Sequence, residues 1–309
     1  MYYFIWNPAA GKGKAGQALP VIKSVMDKRG EKYTLLKTDY PGHATELAQT
    51  AVRDPEAKAV VAIGGDGTIL ETATGLIDMR LPLACIPLGN GNDFMRNFID
   101  LGPFKTVEEK TKRCLDILLA GQSQVVDIIT VNDRYALNIG NIGLDADVAD
   151  LAFRIKHFFG SISYIIAMLK SLFTYKPLEA AVTVDDLRIQ GLFTLIAVCN
   201  GTQYGGGFII APHARLDDGK ITLCLVEQIS RLKILILFPL VLIGKHTRLK
   251  EVRFIECERV EVEYEGSTKM CLDGNILNNK GPVSFTLIPA ALEMIIDSNQ
   301  INRKNSSRV

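Results

Sequence analysis

The chain has 309 residues, 48% of them hydrophobic, which is more than one typical domain needs and enough for two modest cores. With 35 basic against 34 acidic residues it carries no global field to draw in nucleic acid, so no nucleic-acid partner is expected and any polyanion site must be local. The six cysteines lie far apart in apolar runs such as LACIP and IAVCN, without metal spacing, as reduced core residues of a cytoplasmic protein would.

The start, MYYFIWNP, lacks the basic and apolar regions of a secretory leader. The longest apolar run, 234–244, is interrupted by Pro239 and is shorter than the roughly 20 residues that span a bilayer.

The first 120 residues alternate strand and helix. Strands are expected at 2–6, 33–38, 59–63 and 83–87, with helices at 17–28, 43–52, 94–98 and 107–119. This rhythm predicts right-handed βαβ units and an α/β, doubly wound parallel sheet that binds ligands at the carboxyl ends of its strands. Three polar loops, 7–16, 64–68 and 88–93, leave strands at that end. After about residue 126, short β-rich segments separated by VNDR, VDDL, LDDG, YEG and NNKG predict an antiparallel β-sandwich, interrupted by a helical patch at 151–175.

A last helix is expected at 290–296. Its apolar stripe, Ala291, Leu292, Ile295 and Ile296, is too short to stand alone, so it should return to the N-terminal domain. The expected domains are therefore 1–128, completed by 289–299, and 129–288, with a polar tail closing the chain.

The central motif is AVVAIGGDGT, 59–68. Its apolar run predicts a strand buried on both faces. Gly64 and Gly65 then let backbone N–H groups approach a phosphate, while Gly67 and Thr68 open a helix. Asp66 sits inside this turn and would repel phosphate unless a cation lay between them, which suggests a magnesium–nucleotide site. An ordinary glycine-rich turn is the plain alternative.

Gly11, Gly13 and Gly16 spell GxGxxG ahead of a helix, and Asp39 follows the second strand, as in a dinucleotide fold. Against a dehydrogenase stand Pro8, Lys12 and Lys14 in the turn, whose cations suit a triphosphate, and a GGDGT carboxylate with no role in hydride transfer. In the third loop, PLGNGNDFMRNF, Asn90, Asn92 and Asp93 offer acceptors to a nucleotide or a metal's water shell. Arg96 follows where a cation meets a transferring phosphate, or else the loop is a capped helix start with a surface Arg. LDDG at 216–219 suits an all-oxygen Mg²⁺ site and equally a hairpin turn.

Together these motifs resemble the diacylglycerol kinase catalytic-domain family of soluble bacterial lipid kinases. NPAAGKGKAG, GGDGT, PLGNGNDFMR, VDI, SYIIAMLKSLFTYKP, PHARLDDGKI and LDGN occur in the family's order along essentially the whole chain. The resemblance implies an NAD kinase-like N-terminal domain, a β-rich C-terminal domain and an active site in the cleft between them. It implies ATP contacts from Asn7, Pro8, Ala9, Ala10, Gly11, Lys12, Thr38, Gly64, Gly65, Asp66, Gly67, Thr68, Glu71 and Asn90. It also implies a structural Mg²⁺ held by Asp218 with backbone oxygens of Arg215 and Lys220, and a catalytic magnesium network oriented by Asp66 and Asp93.

The expected substrate is a membrane lipid, diacylglycerol above others, reached by peripheral contact at the inner membrane surface through the basic-flanked apolar stretches 153–176 and 230–246. The same stretches also suit core helices covering a sheet. The reading leaves room for a homodimer.

Three departures stand out. Asn275 occupies the position of the family's general base, a Glu, and cannot accept a proton at neutral pH. Either Asp273 substitutes, or the loose phosphoryl-transfer transition state makes the base less necessary, or the protein is a weak kinase or a nucleotide-binding regulator. Leu70 replaces the usual Asn, which looks locally more like an NAD kinase. Asn90 replaces Thr.

Overall fold

The computed structural model describes residues 1–99, 102, 104–159 and 163–297. It divides into two compact units, residues 1–126 with 290–309, and residues 127–289. The last two residues of the expected helix-bearing segment 289–299, and the tail beyond, lie outside the described residues, as do 160–162 within the helical patch.

In the first unit the strands are β1 (Tyr2–Trp6), β2 (Tyr33–Lys37), β3 (Ala59–Gly64) and β4 (Leu83–Pro87), and the helices are α1 (Lys14–Arg29), α2 (His43–Val52), α3 (Asp66–Thr74) and α4 (Val107–Ala120). The strands run parallel in the order β2-β1-β3-β4, with Phe4 beside Leu35 and Val61, and Val61 beside Ala84. Every residue of β3 and β4 is buried, as their unbroken apolar runs require of strands covered on both faces. α1 packs with α4, and α2 with α3. The crossover through α1 leads one way from β1, and those through α2 and α3 lead the other way, so right-handed connections put the two helix pairs on opposite faces. The chain direction switches between β1 and β3, and ligands bind in the crevice at such a point. The helix expected at 94–98 is a single tight turn, Met95–Asn97.

The second unit begins within β5 (Ser123–Val131) and continues through β6 (Arg134–Ala136), β7 (Ile139–Gly143), α5 (Leu144–Phe159), α6 (Ser163–Thr174), β8 (Leu178–Val184), β9 (Leu187–Cys199), β10 (Gln203–Tyr204) and β11 (Phe208–Ile209). After β12 (Ile221–Glu227) come α7 (Arg231–Leu242), β13 (Val252–Cys257), β14 (Arg259–Glu263), β15 (Ser267–Leu272), β16 (Asn275–Lys280) and β17 (Val283–Ile295). The pairings described inside this unit are antiparallel, with β9 pairing β8 along its first half and lying between β7 and β12 along its second.

The continuous run FTLIAVC in β9 follows from two cores. Phe193, Ile196 and Val198 join one with Val260, Phe285 and Leu223, while Leu195, Ala197 and Cys199 join another with Ile210 and Cys224. β14, RVEVE, shows the plain alternation instead: Val260 and Val262 are buried, and its charged residues point outward. Strands far apart in pairing order thus fill one core, as in a sandwich.

The expected helix at 290–296 is instead the second half of β17. Ala290 adopts φ +52, the chain turns there, and Met294 then pairs in parallel with Leu83 of β4. Leu292, Met294, Ile295 and Ile296 are all 5% exposed or less. Because both faces are covered, the apolar pattern carries no period that separates strand from helix. Burying four such side chains contributes about 1.5–3 kcal/mol each, on the scale of a domain's whole net stability. Truncation after Pro289 is therefore expected to abolish cooperative melting of the first unit, and an unchanged thermal transition would rule this out.

Candidate active site

The three loops of the first unit close on one another at the switch point. Asn7, the first residue beyond β1, donates its backbone N–H to Ile63 O at 3.1 Å and its Nδ2 to Thr68 Oγ1 at 3.1 Å, and accepts from Ala9 N at 2.9 Å. One side chain thereby stitches the turn containing Pro8, Ala9 and Ala10 to the first turn of α3. Gly11 has φ +58, and a Cβ there would fall 2.1 Å from Leu88 O, so no other residue fits. A Cβ on Gly89 would lie 2.5 Å from Gly65 Cα, so the second and third loops touch backbone to backbone.

Asp66 begins α3, and its Oδ2 accepts from Asn92 N at 2.7 Å. Burial pushes its pKa up, opposed by the backbone N–H groups of Asn92, Phe94 and Asp93. Its Oδ1 is buried without a hydrogen-bond partner among the described residues. An ideal Cβ on Gly91 would lie 3.1 Å from Oδ2 of both Asp66 and Asp93, so the two carboxylates flank one small space. An orphaned carboxylate oxygen and a second carboxylate beside it fit a hard divalent cation.

Asn92 is turned inward and does not line an acceptor rim. It is 6% exposed with φ +52, and it clamps Gly89 twice, accepting from its N–H and donating to its O at 2.9 Å each. Asn90 is exposed beside it. Arg96 donates through Nε to Gly91 O at 3.2 Å and stands 3.8 Å from Asp93 Oδ1. Thr38 lies buried just past β2, its N–H on Trp6 O at 3.0 Å. Glu71 lies on α3, its carbonyl taken by Thr45 Oγ1 at 2.7 Å, and Lys12 is exposed.

The sequence reading missed Lys110 of α4. Burial lowers its pKa, and Arg96 and Lys14 lower it further against the opposing Cys114. Three cations therefore share one neighbourhood beside these loops. In the sequence Lys110 sits in VEEKTKRC and looks like any solvated helix face.

In the second unit, Gly219 N donates to Asp127 Oδ2 at 2.8 Å and Lys220 N to Asp218 Oδ1 at 3.2 Å. Asp218 is raised mainly by burial, and the charges of Asp127 and Asp217 raise it further while Arg215 lowers it. Crowded carboxylates favour a cation. The side chains of Arg215 and Lys220 face other partners, Asp217 at 3.1 Å and Glu256 at 2.6 Å, so only their carbonyls remain to serve a metal here. Asp127, in the VDI motif, belongs to this cluster although the LDDG reading did not include it. Among the described residues no three His, Cys, Asp or Glu side chains converge as a metal site.

Asp273 and Gly274 form a two-residue hairpin loop between β15 and β16 with φ +46 and +86, the positive values a type I′ turn demands. The Asp273 carboxylate accepts from Leu137 N at 2.6 Å, Asn138 N at 3.1 Å and Ile139 N at 2.9 Å. Both oxygens are committed to the backbone, so Asp273 is a structural clamp and not a free base standing in at position 275. Asn275, the first residue of β16, is exposed.

The family described as "Diacylglycerol kinase catalytic domain" matches residues 1–131, and that described as "YegS C-terminal NAD kinase beta sandwich-like domain" matches residues 139–296. A diacylglycerol kinase of Mycobacterium tuberculosis is 30% identical over 295 residues, covering 94% of this chain and 93% of its own. The chain belongs to the diacylglycerol kinase family.

Among other relatives of this lipid kinase family, the diacylglycerol kinase of Bacillus subtilis is 28% identical, covering 87% of this chain and 88% of its own. A crystal structure of a putative diacylglycerol kinase from Bacillus anthracis superposes with TM-score 0.73 at 24% identity, over 96% of this chain and 97% of that one, and shares the fold. An NAD kinase from Archaeoglobus fulgidus in complex with ATP shares it more distantly, with TM-score 0.54 at 12% identity over 99% and 98%. The parallel sheet and the β-sandwich are thus the fold of diacylglycerol kinases and NAD kinases alike.

Proposed function

We propose that the protein transfers the γ-phosphate of ATP to the free hydroxyl of a membrane lipid, diacylglycerol in the first place, giving phosphatidic acid. The observation that carries this reading is the closure of three strand-end loops around Asp66, whose buried Oδ1 has no hydrogen-bond partner among the described residues. Gly65, Gly67 and Thr68, with Asn7 to Gly11, would cradle the nucleotide, Thr38, Glu71 and Asn90 would border it, and Lys12, Lys14, Arg96 and Lys110 would face its phosphates. Asp66 and Asp93 would hold Mg²⁺, and Asp218 with the carbonyls of Arg215 and Lys220 would hold a second, structural ion. Bound magnesium supplies neutralisation of the charge that develops on the transferring phosphoryl group.

Peripheral contact with an anionic bilayer is part of the proposal. Residues 163–178 and 231–250 contain no Asp or Glu but carry Lys170, Lys176, Arg231, Lys233, Lys245, Arg248 and Lys250. Phe173, Leu232 and Ile236 are 80%, 69% and 64% exposed in the same segments. Cation-edged exposed apolar groups suit an anionic membrane surface. No described helix is long and apolar enough to cross a membrane.

A second reading, a nucleotide-binding regulator with impaired catalysis, is favoured by Asn275 and by the commitment of Asp273 to the backbone. Incubation with γ-labelled ATP, Mg²⁺ and diacylglycerol dispersed in anionic vesicles separates the two. Labelled phosphatidic acid is the expected product, whereas ATP binding without any labelled lipid would select the regulator.

A further inference from the structure

Between α5 and the β15–β16 hairpin the second unit holds a hollow of about 390 Å³ that is open to solvent. That lies within the roughly 300–1,000 Å³ range of small-molecule sites. Two periodicities build its wall. Asp150, Phe153 and Arg154 stand three and four residues apart on α5, so they share one helix face. Ile276 and Asn278 alternate onto one face of β16, and Asn278 lies directly opposite Lys269 of β15. Asn275, at the start of β16, lines the hollow too.

The charges in this wall are already matched. Arg154 pairs with Asp150 at 2.9 Å, and Lys269 bridges Asp150 at 2.9 Å and Asp147 at 3.1 Å. Two cations against two carboxylates leave no net charge to attract either a phosphate or a metal ion. The pairing also holds the Arg154 fork in place: Nε and Nη2 are taken by Asp150, which leaves Nη1 to donate.

Two amides are uncommitted. Between described residues no hydrogen bond uses the side chain of Asn275 or Asn278, whereas Asn279, on the opposite face of the strand, gives Nδ2 to Tyr264 Oη at 2.8 Å. Each free amide offers two donors and a carbonyl acceptor. Beside them Phe153 is 76% exposed, so an aromatic ring stands open on the same wall.

A ligand that suits this wall is uncharged, rich in hydroxyls and apolar on one face. A hydroxyl both donates and accepts, so neighbouring hydroxyls match the two ends of an amide. A pyranose ring meets each demand, because its hydroxyls line its edge while its C–H bonds form a face that packs on an aromatic ring. A hydrocarbon would instead strip water from the amides and ion pairs without replacing their hydrogen bonds.

We propose that this hollow binds a sugar ring, carried on a glycosylated lipid or free in solution, and that one hydroxyl of the ring accepts the γ-phosphate of ATP. Asn275 stands where the resemblance puts the general base, so a ring held here has its hydroxyls beside the acceptor position. The hydroxyl oxygen forms a bond to the γ-phosphorus, and the bond from that phosphorus to the β–γ bridging oxygen breaks. ADP leaves with the electron pair, and the hydroxyl proton passes to water, since Asn275 cannot take it. The transfer rests on the kinase reading, but the capacity for a sugar ring does not.

The first test uses the full chain without ATP, titrated with methyl β-D-glucopyranoside and methyl β-D-galactopyranoside at millimolar concentrations. Saturable shifts of the side-chain amide resonances of Asn275 and Asn278 are expected with at least one of them. Phe153→Ser and Asn278→Leu, both at exposed positions, should weaken that binding by at least about tenfold, and Leu187→Ser, outside the hollow, should leave it unchanged. No saturable shift with either glycoside, or affinities within about twofold of wild type in both hollow variants with native melting curves, overturns the proposal.

The second test offers γ-labelled ATP with glucosyldiacylglycerol in anionic vesicles, diacylglycerol in the same vesicles, or the free methyl glycoside. Label on the glycolipid is expected, and in Asn278→Leu the ratio of its kcat/KM to that on diacylglycerol should fall at least about fivefold. Label on the free glycoside but not on the glycolipid would assign the ring to a soluble sugar. Label on diacylglycerol alone overturns the assignment of the sugar as acceptor. If no acceptor is labelled the kinase reading fails, and the glycoside titration still decides the hollow.

Discussion

Asp66→Asn is expected to lower lipid phosphorylation by at least about 10³-fold, the scale seen when a preorganised charge is removed from a reacting site, with the fold left intact. The amide is nearly isosteric, and its oxygen can still accept from Asn92 N, so the clamp between the second and third loops survives. What disappears is the ionised oxygen that attracts a cation.

Stability should move the other way, or not at all. The folded-state pKa of Asp66 is raised above its usual value, so the native state holds its proton more tightly than the unfolded chain does. The stabilisation tied to that proton is complete below the usual Asp range and is lost as pH rises through the raised value. Above it, wild type carries the cost of a desolvated charge that the amide avoids. A melting temperature at pH 8 equal to or slightly above wild type, with turnover lost, would mark a charge kept for function. Near wild-type turnover in the folded variant would remove the basis for a magnesium–nucleotide site, and a large drop in melting temperature would assign Asp66 to structure.

Asn275→Glu is expected to raise turnover by about 10²-fold, the lower end of what a placed general base contributes. Before the fold is known, Asp273 is an equal candidate for that task. Its two oxygens are held by the N–H groups of Leu137, Asn138 and Ile139, so proton uptake there would break the hairpin's anchor. Position 275 is exposed at the start of β16, which among the described residues pairs with β15 alone, and has room for one more methylene. Lys269 and Arg154 line the same surface hollow but already pair with Asp150 at 2.9 Å each, so they offset the added negative charge only in part.

The rate is read as labelled phosphatidic acid per unit time in wild type and variant side by side. A large gain would show a kinase running without its base. An unchanged rate in an already active wild type would show that a carboxylate at 275 is dispensable and that positioning and charge neutralisation carry the transfer.

Much of this was legible in the residues. The buried runs 59–63 and 83–87, each ending in a glycine-bearing loop, dictated a parallel sheet with its ligand loops at one end, because apolar periodicity and glycine conformation are local properties. Charge balance, the scattered cysteines and the order of the motifs were equally local. Four features needed the folded chain. Residues 290–296 became strand because β4 offered an open edge and both faces of the segment were covered, which erases the period a sequence would show. Asn92 turned inward onto Gly89, and Asp273 was taken by three backbone donors more than 130 residues away, since hydrogen-bond partners are a matter of proximity in space. Lys110 joined Lys14 and Arg96 only through the packing of α4 on α1.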